Sequence, residues 1–182
     1  MDRTPHDDLA PTTSPTTARP AAGAVTVSVD DPLRPDVVAL LQDHLDDMHA
    51  TSPAESVHAL DPSALTAPAL TFWTARTSDG TLLGTVALKE LHPTGGELKS
   101  MRTAPAARGR GIGTVLLGTA LAEAAARGYR TVHLETGTHD FFAPAHRLYA
   151  RAGFVPCGPF GDYRPDPHSA FFLLDLATAA AG

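Results

Sequence analysis

Apolar and polar residues alternate strictly over Val25-Thr-Val-Ser-Val29, the period of a strand with one covered face. The period then lengthens. Behind Pro35, Val37, Val38, Leu40, Leu41, Leu45 and Met48 recur at helical spacing, while Asp36, Asp43, Asp46 and Asp47 crowd the opposite side. Ser52-Pro53 breaks this run. Asp61-Pro62 has the form of an N-cap followed by a proline at the first helical position, which predicts a second, short helix.

Leu70 to Arg76 and Leu82 to Leu88 read as two strands joined through Ser78-Asp79-Gly80, a hairpin. Gly95-Gly96 predicts the next turn, and a strand from Glu97 to Thr103 follows, closed by Pro105. Within Arg110 to Ala126, Ile112, Leu116, Leu117, Ala120, Leu121 and Ala124 return to helical spacing. Arg127-Gly128 then supplies a basic last turn and a stop glycine. A strand from Thr131 to Glu135, a helix from Pro144 to Arg151 stopped by Gly153, and strands over Phe154 to Cys157 and Phe171 to Leu176 complete the pattern. The predicted order is β-α-α-β-β-β-α-β-α-β-β, an α/β fold built on a mixed sheet.

Residues 1–23 break with this regularity. They carry Pro5, Pro11, Pro15 and Pro20 and no aromatic residue, too little apolar area to offset the entropy of ordering. A flexible tail is expected there, with residues 24–178 as one domain. At 182 residues, 43% hydrophobic and 19% charged, the composition is that of a soluble globular chain. A net charge of −6 makes nucleic acid and anionic membrane poor partners. No apolar run reaches the roughly 18–20 residues of a membrane span, and the N-terminus lacks a secretory apolar core, so a cytoplasmic location is expected. Cys157 is the single cysteine; it excludes an internal disulfide and sits in an apolar strand, where it reads as core. His44 and His49 are five apart and do not share a helix face, no His-Glu-x-x-His occurs, and no metal site is expected.

Ser100 to Leu117 carries the chemistry: a strand, a basic glycine-rich loop and a helix. Gly109, Gly111 and Gly113 let the backbone approach a ligand and adopt positive φ. The free amides of the first helical turn favour an anion, and Arg108 and Arg110 add two cations. This reads as a phosphate or pyrophosphate cradle; the plain alternative is a turn with solvated arginines. No lysine follows Gly113, which argues against a P-loop. The five residues Ala104 to Arg108 before Gly109, and the polar strand carrying Glu97, Lys99 and Arg102, argue against a dinucleotide fold.

Arg108-x-x-Gly111-x-Gly113, behind a strand ending near a proline, resembles the acetyl-CoA signature of the GNAT acetyltransferases. Ala145-x-x-Leu148-Tyr149-x-x-x-Gly153-Phe154 resembles that family's second signature. The element order is also similar, over residues 25–176, and the chain is most similar to a bacterial subgroup of small-molecule acetyltransferases. The resemblance implies a mixed, mostly antiparallel central sheet flanked by helices. It also implies direct transfer from acetyl-CoA to a primary amine of a small molecule, with no metal and with a homodimer as one expected state. A non-catalytic acyl-CoA sensor and a protein or peptide N-acetyltransferase are the alternatives.

Carried onto this sequence, the resemblance gives Met101 and Thr103 backbone groups to the pantetheine arm, in a gap beside the strand Thr131 to Glu135. The amides from Arg108 through Gly109, Arg110, Gly111, Ile112 and Gly113 to Thr114 would hold the pyrophosphate. Tyr149 would protonate the departing thiolate; otherwise it is an aromatic packed on the sheet. Seven residues before it, where the family often has an asparagine that contacts the cofactor, stands Phe142.

An ammonium acceptor must lose a proton before it attacks. Glu97, at a strand position where several family members carry glutamate, is one candidate base and shares a face with Lys99 and Met101 under period-two alternation. Glu135 is the second; either is alternatively an ion-pair partner of Lys99 or Arg102. The family's acceptor pocket draws on the first helices and the last loop. Here that means Asp47, His49, Ser52, Glu55 and Ser56, and Gly158 to Ser169 with Asp162, Tyr163 and Asp166. Their acidic bias points to a cationic amine, with solvated surface carboxylates as the plain alternative.

Overall fold

The computed structural model describes residues 24–56, 58 and 61–179; the tail expected at residues 1–23 lies outside them. Strands β1 (Thr26–Val29), β2 (Leu70–Arg76), β3 (Leu82–His92), β4 (Gly95–Thr103), β5 (Thr131–Gly137), β6 (Val155–Cys157) and β7 (Ser169–Asp175) form one seven-stranded sheet in the order β1-β2-β3-β4-β5-β7-β6. All neighbours are antiparallel except β4 and β5. A parallel pair needs a crossover, and helix α2 (Ile112–Ala126) provides it.

Helix α1 (Pro35–Thr51) covers one face of the sheet, where Val37 and Leu41 pack with Leu65, Phe72 and Ala87. The other face meets α2, whose Leu116, Leu117, Ala120 and Ala124 are buried against Trp73, Val86, Leu88 and Leu98. Helix α3 (Ala143–Arg151) adds Tyr149 to that second core, and a short α4 (Leu176–Ala179) follows β7.

The second helix expected at Asp61-Pro62 is absent among the described residues; 3-10 turns at Ala54–Ser56 and Ala64–Thr66 take its place. The Asp61 carboxylate accepts from both the amide and the hydroxyl of Ser63, 2.8 and 2.6 Å, closing a turn instead of starting an α-helix. Gly95-Gly96 is not the turn either. Both glycines are buried in β4, because a Cβ on Gly96 would come within 2.9 Å of Leu88 and of the Tyr129 ring.

A bulge in β4 organises the site. Thr85 pairs with Arg102 and Ala87 with Lys99, so Val86 alone faces both Ser100 and Met101. Ser100 is the one described non-glycine residue with positive φ, +49°, and the Thr85 hydroxyl donates to its carbonyl at 2.9 Å. The extra residue shifts the alternation. Met101 joins Leu98 in the core beneath α2, whereas Arg102 turns to α1, where it pairs with Asp47. The shared face expected for Glu97, Lys99 and Met101 is therefore corrected: Met101 lies on the opposite face. Pairing of β4 with β5 also stops at Leu98 and Leu134, just before the bulge, and the strands diverge beyond it.

Candidate active site

After β4, Pro105–Ala107 forms a 3-10 turn and the Arg108 amide donates to the Pro105 carbonyl at 3.3 Å. That bond removes Arg108 from the set of free amides expected in the loop. Gly109 and Gly111 follow at φ +73° and +79°, a region that costs other L-residues about 1–2 kcal/mol. Space is not what restricts them, since a Cβ on either would meet nothing within 4 Å. Gly113 answers to contact instead: its Cβ would sit 3.2 Å from Leu148 and 3.6 Å from the Thr103 hydroxyl, so α2 approaches β4 closely. Gly111 caps α2 without a side-chain bond, and the first turn contains no acid. Its amides lack intrahelical acceptors and face outward as an anion-binding end.

A cavity of about 420 Å³ adjoins this loop. Arg108, Gly109, Gly111, Ile112 and Gly113 line one part, and Met101 and Thr103 on the diverging β4 edge continue it. Glu135, Thr136 and Gly137 line the β5 side, with Tyr149 and Leu148 from α3. His44 and Met48 of α1, His58, Lys99 and Arg102 line it as well.

Tyr149 is buried, its ring 5.8 Å from that of Phe154, and among the described residues its hydroxyl reaches only the Met101 Sδ, 3.7 Å away, a weak acceptor. Burial, and then the charge of Glu135, push its phenol up, so it keeps its proton. Glu135 accepts from the Ser169 hydroxyl at 2.7 Å, and burial raises its carboxyl above the ordinary range. Phe142, where the family asparagine was expected, is buried, lines the cavity and packs its ring against Gly137.

Glu97 lies elsewhere. Its buried carboxylate accepts from the Tyr163 hydroxyl at 2.6 Å and pairs with Lys99 at 3.3 Å, and Lys99 donates to Tyr163 and to the His58 carbonyl. Glu97 does not line the cavity. The structure thus brings Glu135 and Tyr149 to one wall and holds Glu97 in a closed cluster behind it. Tyr163 serves that cluster and packs on Phe160, Phe171 and His58.

Glu135, a candidate for the acceptor pocket as well as for the base, lines the cavity; of the other described residues expected at that pocket, none does. His49 and Asp162 are exposed, Ser52 ends α1, the side chain of Glu55 lies outside the described set, and Asp47 is engaged by Arg102. In the loop, Arg110 and Thr114 are exposed and off the cavity wall. His44 and Arg102 were not anticipated as lining residues. The signal for His44 was present: with Val37, Leu41 and Met48 it falls on the buried stripe of α1, a polar residue at an apolar position. Among the described residues no group of three His, Cys, Asp or Glu side chains could hold a metal ion, and no helix is long and apolar enough to cross a membrane.

A model of the Acetyltransferase (GNAT) family matches residues 37–154. The uncharacterized N-acetyltransferase YedL of Escherichia coli is 45% identical over 151 residues, spanning 83% of this chain and 94% of that protein. The uncharacterized N-acetyltransferase YsnE of Bacillus subtilis is 43% identical over 150 residues, 82% of this chain and 99% of its own. A crystal structure from Klebsiella pneumoniae, provisionally assigned as an acyl-CoA N-acyltransferase, superposes with a TM-score of 0.67 at 30% identity, covering 84% of this chain and 97% of that one.

Proposed function

The chain belongs to the GNAT family and is an N-acetyltransferase, and we propose that it moves an acetyl group from acetyl-CoA directly to a primary amine of a small molecule. The observation that carries this reading is the continuity of one cavity from the glycine loop to Glu135 and Tyr149. The loop fits a pyrophosphate, because its free first-turn amides and open positive-φ glycines form a cradle with no competing acid. The bound co-substrate supplies a thioester, an acetyl group already activated for attack.

The chain's own residues do the rest. Amides from Gly109 to Thr114, with the Arg108 side chain, hold the pyrophosphate. The β4 edge at Met101 and Thr103, unpaired with β5, receives the pantetheine amides. Glu135 takes a proton from the acceptor ammonium, and its raised carboxyl is better matched to that task near neutral pH than an ordinary glutamate. As the new C–N bond forms and the C–S bond breaks, Tyr149 gives its proton to the departing sulfur. The weak bond to Met101 leaves its hydroxyl free to turn to that sulfur. Glu97 positions Lys99 and Tyr163 and takes no proton.

Thiol release from acetyl-CoA, measured with and without a panel of amines, tests the reading. Tyr149→Phe is expected to lower kcat by about 100-fold or more. The thermal stabilisation by acetyl-CoA, about 2.7 kcal/mol at 100 times Kd, should persist in that variant. Equal loss of binding and turnover contradicts the acid role. Stabilisation by acetyl-CoA with no amine-dependent thiol release contradicts the transferase reading and leaves an acyl-CoA sensor.

A further inference from the structure

We infer that the acceptor carries a carboxylate beside its amine, and that Arg102 and His44 receive it on the α1 face of β4. The inference rests on the reading of this cavity as the seat of acetyl transfer. Arg102 is 8% exposed, a cation largely removed from water. Asp47 takes its Nη2, but its Nε is buried and has no hydrogen-bond partner among the described residues. His44, half-buried as a whole, has a buried Nδ1 in the same condition. Both residues line the one cavity that also holds Glu135.

Two orphaned polar atoms in one wall are a costly arrangement. A buried donor left unmatched costs about 1–3 kcal/mol, more when it is charged. A carboxylate answers both atoms: its oxygens accept from a guanidinium through short, charge-assisted bonds, and a second oxygen reaches an imidazole N–H. His44 suits this role because it adds a hydrogen bond without adding charge; burial and the neighbouring Arg102 push its imidazole down to about 4. Of the other cations on the wall, Arg108 sits at the glycine loop, and Lys99 is already matched by Glu97, Tyr163 and the His58 carbonyl.

The location points to the acceptor and not to the co-substrate. The bulge at Ser100 puts Met101 on the α2 face, against Gly113 and Leu148, and sends Arg102 to α1. A chain lying along the glycine loop and the α2 face leaves the α1 face to the second substrate. The same pairing removes Asp47 as a ligand for a cationic amine, which the acidic run on α1 had suggested.

Initial rates with matched acceptors test the inference: phenylalanine, methionine and alanine, each against its amide and its decarboxylated amine. The acids are expected to show kcat/KM at least tenfold higher. Arg102→Gln should erase that preference by raising KM for the acids far more than for the plain amines, and preserve stabilisation by acetyl-CoA. Arg102→Lys should restore part of the preference, and His44→Gln should lose part of it. Amides and amines used as well as acids would overturn the inference. So would an Arg102→Gln variant that weakens acetyl-CoA and every acceptor in parallel, which would assign the guanidinium to the co-substrate or the fold. If no amine is acetylated, the transferase reading fails, and the carboxylate site is judged separately in the CoA-bound protein. There 3-phenylpropionate should raise the melting temperature in wild type but not in Arg102→Gln, and 3-phenylpropanamide in neither; equal shifts with acid and amide overturn the site.

Discussion

The two faces of β4 line the cavity in different ways. Towards α2 the surface is main chain: glycines at positive φ, helix-start amides and an unpaired strand edge, all within Met101 to Thr114. Towards α1 it is side chain: His44, Lys99 and Arg102, with Glu135 across the gap, gathered from three elements. A main-chain site is fixed by backbone conformation and tolerates side-chain change. A side-chain site depends on partners distant in sequence and is the place where specificity can vary.

Removing Glu135, the proposed base, from the side-chain site should have the largest effect. Glu135→Gln is expected to reduce kcat by about 100-fold or more while leaving acetyl-CoA binding intact, read by steady-state kinetics beside a thermal-shift titration. The wild-type rate should rise with pH through the titration of Glu135, which lies above its ordinary 4.5, because only the carboxylate accepts a proton. The variant should lose this limb. A variant with the limb intact would move the base elsewhere.

The next effect concerns stability. The folded state holds His44 neutral with its titration lowered to about 4, whereas in the unfolded chain it titrates near 6.5. Protonation therefore favours unfolding. The His44 contribution is fully present above pH 6.5, declines as the pH falls and is gone below about 4, a change on the order of 3 kcal/mol. Denaturant melts of wild type and His44→Gln across this window should diverge by that amount, and parallel curves would mean that the imidazole is freely solvated.

Two glycines of the main-chain site and its helix sharpen the contrast. Gly111→Ala forces a Cβ into the left-handed region at φ +79° and should cost about 1–2 kcal/mol of stability together with acetyl-CoA affinity. Gly118→Ala in the same helix meets open space at an ordinary φ and should stabilise by about 0.5–1 kcal/mol with no change in affinity. Like signs for the two would show that conformation is not what selects Gly111.

These differences explain what could be read from the chain alone. The strands, the hairpin and α2 follow from periodicity, and the cradle follows from a contiguous glycine motif. The bulge had no such marker: a serine, not a glycine, holds the positive φ, and only the register against Thr85 and Ala87 reveals it. Glu97 looked equivalent to Glu135 because its sequestering partner, Tyr163, lies 66 residues away. Asp47 looked like an amine ligand until Arg102, 55 residues on, claimed it. Long-range pairs of side chains decide both cases, and local spacing carries no information about them.

A map of backbone amide chemical shifts during titration with CoA tests the main-chain cradle most directly. Gly109 to Thr114 and Met101 to Thr103 should respond together and saturate at one affinity, while the Glu97, Lys99 and Tyr163 cluster stays still. Unmoved loop amides, with responses gathered at another surface, would contradict the cradle.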